Sequence, residues 1–452
     1  MELDLSRFFK ASNPAETLDV ERPEDQKYYI DFSPARGGKC MEQIARTITR
    51  LSPDRPTCQL FTGPVGSGKS TELLRLKAQL QKEGFHVVYF ESSKDLDMGD
   101  VDITDILLAI ARQVSESIES LKIKLQPKGF KSLLSGVINV LNTEIDLKAD
   151  INVPGLGTLA ANTEGEFSLS TGIGNITAKT KDSRDLRSLL RQYLEPRTNN
   201  ILEAINKELL EPSIQQLKQM GKQGLVVIID NLDRISYSPN STGRFQPEYL
   251  FIDRGEQLNK LNCHVVYTIP LGLIFSNDLG QLMNRFGNDP KTLPMVTVKF
   301  EDGAPCQEGI ELLRQMVMAR AFPGLAAKDY PALIDTIFDS PETLDRLCTI
   351  SGGHVRSLLI LLYSCLQKED PPLTRESLEE VILQRRHQLT LAIEAEEWQM
   401  LRQVAATKKL SGQIEYQTLI RSLWVFEYNH AQHFWYDINP ILTEAKEFGL
   451  GI

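Results

Sequence analysis

Residues 58 to 80 read CQLFTGPVGSGKSTELLRLKAQL, from Cys58 to Leu80. An apolar run enters a glycine-rich turn and leaves as a segment whose leucines recur at helical spacing, so the local order is strand, loop, helix. Gly63, Gly68, Lys69 and Ser70 hold the spacing G-x-x-x-x-G-K-S. Glycines there let backbone N–H groups wrap phosphate oxygens, and the helix N-terminus turns its partial positive charge on them. Gly63, Pro64, Val65, Gly66, Ser67 and Gly68 form the cradle. Lys69 is expected to reach the β- and γ-phosphates, Ser70 to ligate magnesium through its hydroxyl, and Thr71 to lie beside the α-phosphate. A tight turn alone would select the glycines, but not a lysine followed by two hydroxyl residues. The expected ligand is a nucleoside triphosphate with magnesium.

A phosphate loop of this kind works with a carboxylate at the end of a second buried strand. GLVVIIDNLDRI, from Gly224 to Ile235, supplies it. Leu225 to Ile229 is continuously apolar, as a central parallel strand covered on both faces requires, and Asp230 stands at its carboxyl end. Asp230 is the expected magnesium carboxylate. FHVVYFES (Phe85–Ser92) and CHVVYTIP (Cys263–Pro270) read as two more strands of the same sheet. Thr268, where the latter runs out, is placed to orient a water or touch the γ-phosphate. No Asn-Lys-x-Asp sequence occurs, so the usual guanine-reading signal is missing and ATP is expected over GTP.

Composition sets the outer bounds. A chain of 452 residues accommodates two or three packed units. Its hydrophobic share of 41% and charged share of 24% are those of globular proteins. The formal charge of -10 gives no general attraction to nucleic acid, so a phosphate-backbone partner would need a local basic patch. Cys40, Cys58, Cys263, Cys306, Cys348 and Cys365 are scattered, without the close pairs of a zinc or redox site. MELDLSRFFK lacks the basic start and apolar run of a secretory signal. No stretch approaches the roughly 20 apolar residues that span a bilayer. The expected location is cytoplasmic.

Four segments resemble the STAND and AAA+ branch of P-loop ATPases. YYIDFSPARGGKCMEQIARTI, from Tyr28 to Ile48, is similar to the lead-in that packs on adenine, and FTGPVGSGKSTELLRL looks like that group's phosphate loop. IDNLDR (Ile229–Arg234) resembles the Asp-x-Leu-Asp-Arg form of KAP-type members, and SGGHVRSLLILL (Ser351–Leu362) the start of a lid helix bearing a sensor arginine, here Arg356. Asn231 occupies the place where many AAA+ members carry a catalytic glutamate. Asp233 is the substitute base that the resemblance leaves, or else a surface carboxylate paired with Arg234. LMNRFGNDPKTLPMVTVKF (Leu282–Phe300) resembles the helix and final strand of an AAA+ core, in which Arg285 would reach a neighbouring subunit as an arginine finger; Arg254 competes for that role. STAND proteins of bacterial type serve signalling or defence, and the resemblance implies a nucleotide-controlled switch working as a homo-oligomer or with a protein partner.

These readings imply a lead-in over residues 1–57, an α/β P-loop core with a parallel sheet over 58–300, a helical lid over 301–390 and a winged-helix-like unit over 391–452. An insertion interrupts the core at about 125–182. In it, GFKSLLSGVINVLN (Gly129–Asn142) has helical spacing, while Ile145, Leu147, Ala149, Ile151 and Val153 alternate as in a strand, as do Phe167 and Leu169. Glycines 155, 157, 165, 172 and 174 suit turns, so a helix plus β-ribbon is expected. KAP-like ATPases carry membrane-associated insertions in a similar interval, but subunit contact is the expectation ahead of membrane contact. The lid lies over the nucleotide and rotates when the γ-phosphate is lost, with His354 a packing or surface residue. At the end, helices near Glu396–Ala406 and Tyr416–Leu423 precede LWVFEYNHAQHFWYDINPIL, a hairpin with an Asn-His turn. Trp424, Phe426, Phe434 and Trp435 build a small core there. Arg385, Arg386, Lys408 and Lys409 leave DNA as an alternative partner, in the manner of replication initiators or transposition regulators. A nucleotide-binding scaffold without turnover is a third reading.

Overall fold

A strand made of Val226 to Ile229 has no polar face to give to water, so helices must cover it on both sides. The computed structural model describes residues 3–125, 127–147, 169–181, 183–240, 243–410, 414–431 and 433–449. Five strands form one parallel sheet: β1 (Cys58–Thr62), β2 (His86–Glu91), β3 (Leu225–Asp230), β4 (His264–Thr268) and the two-residue β5 (Lys291–Thr292). The order is β2-β3-β4-β1-β5, and every pairing is parallel.

Successive side chains on these strands feed two separate cores, as the two-residue period demands. Val87, Val226, Ile228 and Val266 pack against helices Cys40–Arg46 and Lys69–Lys82 through Met41, Ile44, Leu73 and Leu76. Val88, Leu225, Val227, Ile229 and Val265 face the other way, against helix Ile103–Ser120. An Asp102–Asp105 capping box starts that helix. The order of strands makes β1 a switch point: the chain leaves it towards β2 on one side and returns to β5 on the other. Open sheets of this kind present their ligand cleft there, at the carboxyl ends. This is the α/β P-loop NTPase architecture that the loop sequence implies.

The insertion differs from expectation. One helix runs from Lys128 to Leu147 and another from Leu169 to Lys181, so Ile145 and Leu147 of the first expected strand and Leu169 of the second are helical. Leu134, Val137 and Leu141 are buried at helical spacing, and extending an established helix adds a hydrogen bond for each residue fixed. Leu169, Ile173 and Ile176 likewise bury one helical stripe, which outweighs the turn preference of Gly172 and Gly174. Ala149, Ile151, Val153, Phe167 and glycines 155, 157 and 165 lie outside the described residues. No described helix is long and apolar enough to cross a membrane.

Beyond Thr292 the expected final strand does not continue. The extended segment is instead held through single backbone bonds: Met295 N to Glu427 O, Val296 N to Gly353 O and Thr297 N to Ala35 O. Helices Gln307–Ala321, Pro341–Ile350, Val355–Lys368 and Arg375–Thr390 follow and share one core, which also takes in Phe8 and Phe32 from the chain's start. Helices Ala395–Thr407 and Ile414–Arg421 precede an antiparallel hairpin of β6 (Val425–His430) and β7 (His433–Ile438). The hairpin turns at Ala431, φ +50°, not at Asn429-His430, which pair within the ladder. The register is set by burial: Tyr428 stacks on Trp435 with ring centroids 5.5 Å apart, and its hydroxyl donates to Gly352 O at 2.8 Å. That packing outweighs the turn preference of Asn429.

Candidate functional site

The chain leaves β1 through a loop whose Gly63, Gly66 and Gly68 have φ of +153°, +88° and +101°, conformations that side chains with a Cβ resist. Gly66 is needed for a further reason: a Cβ there would stand 2.8 Å from both His354 Nε2 and Arg356 Cβ. Lys69, in the first turn of helix Lys69–Lys82, is 6% exposed. Its ammonium donates to Gly63 O at 2.8 Å and Pro64 O at 2.9 Å and lies 2.9 Å from Asp233 Oδ2. Asp233 therefore pairs with the loop lysine and not with Arg234, and it is not a surface carboxylate. Arg234 is exposed and lines the cleft.

Asp230 ends β3 at 1% exposure. Tyr89 on β2 donates to its Oδ2 at 2.8 Å, Asn231 N to its Oδ1 at 2.7 Å, and the Ser70 hydroxyl also bonds it. Burial first, then the neighbouring Asp233 charge, push the Asp230 carboxyl above its ordinary value, against those hydrogen bonds. Ser70 and Asp230 are hard oxygen donors side by side at the end of the phosphate loop. That donor set suits magnesium, which binds through one or two carboxylates plus phosphate oxygens.

Asn231 is 4% exposed with φ +66°, a left-handed position that its short polar side chain tolerates. Its Nδ2 donates to Glu91 Oε2 at 3.3 Å and Ser93 Oγ at 3.2 Å. Thr268 lies beneath this turn: its hydroxyl accepts from Leu232 N at 3.0 Å and donates to Ile229 O at 3.2 Å. Thr268 is fully buried and does not line the cleft.

Residues far away in sequence close the loop from above. His354 is 1% exposed, and its Nε2 lies 2.8 Å from Val65 O. A carbonyl only accepts, so Nε2 carries the proton and Nδ1 accepts from Ser357 Oγ at 2.7 Å. Burial and nearby cations push the imidazole down to about 4, so it is a neutral latch. Arg356 N donates to Gly66 O at 3.2 Å, and the Arg356 side chain lines the cleft. Burial and Arg234 hold its guanidinium below the usual arginine value. Arg36, buried at 5% exposure, donates to Ser67 O at 2.7 Å.

The cleft is open to solvent, its space amounting to about 910 Å³ with the open mouth included. Away from Lys69 it is walled by Leu18, Tyr28, Phe32, Met316, Arg320 and Leu359. Arg320 is 4% exposed and pairs with no carboxylate among the described residues; it donates to Ala11 O and Met316 O, and burial lowers it to about 10. Arg36 and His354 stand in segments quoted above without either residue being assigned to the loop, and Arg320 falls within the residues 301–390 read as a helical lid. A buried, unpaired cation leaves no local pattern by which to find it.

Arg285 lies apart from the cleft, on helix Leu279–Phe286, with its side chain 44% exposed and 3.9 Å from Glu256. Arg254 is turned inward, donating to Tyr249 Oη at 3.2 Å and Thr198 Oγ1 at 3.4 Å. Among the C-terminal cations, Arg386 bonds Ile441 O and pairs with Glu444, and Lys408 pairs with Asp437 at 2.8 Å. All six cysteines are free, and all but Cys40 are buried. No cluster of three or more metal-ligating His, Cys, Asp or Glu occurs among the described residues.

Residues 38–242, from before the phosphate loop to beyond the Asp230 strand, match the KAP family P-loop domain. Among solved structures, the fold is similar to the Walker-type ATPase paby2304 of Pyrococcus abyssi, at 12% identity over 96% of this chain and 98% of that one, with a TM-score of 0.41. It is also similar to the ORC2 protein of Aeropyrum pernix in ADPNP–ADP complexes, at 14% identity over 99% and 96%, TM-score 0.43. The ORC1 protein of the same organism, in complex with DNA, matches at 12% identity over 98% and 97%, TM-score 0.37. No curated protein matches the chain by sequence.

Proposed function

We propose that the chain is an ATP-binding and ATP-hydrolysing molecular switch of the STAND and AAA+ kind. One observation carries the reading: Lys69, Ser70, Asp230 and Asp233, beyond the carboxyl ends of β1 and β3, meet Arg356 and His354, the latter 289 positions beyond Val65, around one loop. Lys69 and the loop amides hold the β- and γ-phosphates, Thr71 lies by the α-phosphate, and the apolar wall by Tyr28, Phe32 and Leu359 takes the base. Ser70 and Asp230 would hold magnesium, which would supply charge neutralisation at the phosphates. The phosphates draw the Lys69 ammonium away from Asp233, and the freed carboxylate accepts a proton from the attacking water. Arg356 senses the γ-phosphate and passes its loss to the helices that follow. An exposed Arg285 is available to a second copy as an arginine finger, which would make hydrolysis depend on assembly.

Calorimetry with MgATP and phosphate release by the purified chain test this reading together. Binding and turnover that Lys69→Ala abolishes are expected. Binding without release would leave a scaffold, and no binding by folded protein would remove the reading.

A DNA-bound ATPase with a C-terminal winged helix is the second reading, favoured by the two helices and hairpin there and by Lys409, which is exposed. It ranks below the first because Arg386 and Lys408 spend their charge inside the fold. Duplex binding measured across salt concentrations separates the two, since phosphate contacts give a steep salt dependence.

A further inference from the structure

Asn231 stands where the resemblance leads one to expect a carboxylate, and the surrounding contacts give its amide a defined orientation. A carboxylate can only accept hydrogen bonds, so the end of the amide facing Glu91 must be its NH2 group. Ser93 Oγ takes a second bond from the same nitrogen. With Nδ2 turned towards β2, Oδ1 is turned away from it. No described residue donates to Oδ1, and Asn231 lines the cleft between Asp230 and Asp233. The arrangement is reinforced from both sides. Glu91 is the register partner of Asp230 across the β2–β3 ladder, and the left-handed turn at Asn231 is held by Asp230 Oδ1 on Asn231 N and by Thr268 on Leu232 N.

From this geometry we propose that Asn231 orients the attacking water through its amide oxygen, and that Glu91 and Ser93 are positioning residues that fix the amide. The inference rests on the ATPase reading and deepens it. The water donates one hydrogen bond to Asn231 Oδ1 and its other proton towards Asp233. Its oxygen forms a bond to the γ-phosphorus while the bond from that phosphorus to the β,γ-bridging oxygen breaks, and that electron pair leaves with ADP. One water proton passes to Asp233, the other departs on the phosphate, and Asp233 then returns its proton to solvent. An amide is uncharged in this role, so the site carries one negative charge fewer than a glutamate at position 231 would bring next to Asp230 and Asp233. Glu91 supplies its charge at one remove, where Lys94 pairs with it at 2.8 Å.

The test compares MgATP affinity with single-turnover phosphate release in Asn231→Ala, Asn231→Gly, Glu91→Ala and Glu91→Gln. Asn231→Gly is included because glycine takes the left-handed turn without strain. Both Asn231 variants are expected to bind MgATP within about threefold of the parent and to turn over about 100-fold more slowly, the scale of a misplaced reactant. Glu91→Ala lowers the rate at least about tenfold by freeing the amide to rotate, and Glu91→Gln, whose Oε1 still accepts, recovers most of that loss with the pH profile unchanged. Parent-like turnover in Asn231→Gly overturns the proposal. So does a Glu91→Gln variant as slow as Glu91→Ala with its acidic limb gone, since Glu91 would then itself be the base. A parent protein that binds no MgATP is a different failure, that of the nucleotide reading.

Discussion

Lys69 Nζ and Asp233 Oδ2 stand 2.9 Å apart, with both side chains 6% exposed. Two loop carbonyls take the remaining ammonium protons, so every donor on Lys69 is in use. The pair links the phosphate loop to the end of β3 across β4, which separates their strands in the sheet. Any phosphate that takes the ammonium must compete with this carboxylate. The same exchange that grips the ligand therefore uncovers Asp233.

Breaking a buried ion pair on one side leaves a charge uncompensated. Lys69→Met is expected to destabilise the fold by about 3–5 kcal/mol, and Lys69→Met with Asp233→Leu to recover most of that loss. Neither variant should bind MgATP. Denaturant unfolding and calorimetry read the two effects separately; full stability in the single variant would show that the pair is not sealed from water.

Gly353 has φ +74°, and a Cβ there would fall 1.7 Å from Val296 O. Gly353→Ala should cost about 3 kcal/mol or more, the sum of left-handed strain and backbone displacement. Gly303, at φ +90° with open space around it, is the control and should cost about 1 kcal/mol. The measurement is the shift in denaturant midpoint at constant slope.

Glu427 is buried in β6, where among the described residues no cation pairs with it and its Oε2 has no hydrogen-bond partner, and burial pushes its carboxyl from 4.5 up to about 7. A folded-state value above the unfolded one means that folding takes up a proton. The stability this contributes is complete below about pH 4.5 and is lost as pH rises through about 7, amounting to on the order of 3 kcal/mol. Glu427→Gln should flatten the dependence in that window and exceed the parent's stability at pH 8. A Tm series from pH 4 to 8 for both proteins checks it.

Arg285, exposed and outside the cleft lining, should leave MgATP affinity unchanged when replaced by alanine. If it acts in a neighbouring copy, turnover per chain rises with protein concentration in the parent, and Arg285→Ala flattens that rise. Light scattering with and without a slowly hydrolysed ATP analogue reports assembly independently.

The phosphate loop, helix Lys69–Lys82 and the Asp230 strand were legible because their signals are contiguous. Conformation, burial and chemistry coincide within about a dozen residues, and the glycine positions, apolar run and terminal carboxylate each follow from local rules. The insertion was misread where that coincidence fails. Ile145 and Leu147 alternate over a window too short to outweigh a helix already propagating from Lys128. The hairpin turn was misplaced for a related reason: the Tyr428–Trp435 stack sets the register, and Asn429 has no say in it.

Sequence by itself determined that a strand, a glycine loop and a helix would form one phosphate cradle, and that a buried strand would end in an acid. Only the tertiary structure decided which distant groups meet there: Asp233 on Lys69, Arg36 under Ser67, His354 and Arg356 on Val65 and Gly66, and Glu91 on Asn231. Backbone geometry is written in neighbouring residues, whereas a hydrogen bond between residues 140 or 289 positions apart is set by how the sheet, the lead-in and the later helices pack.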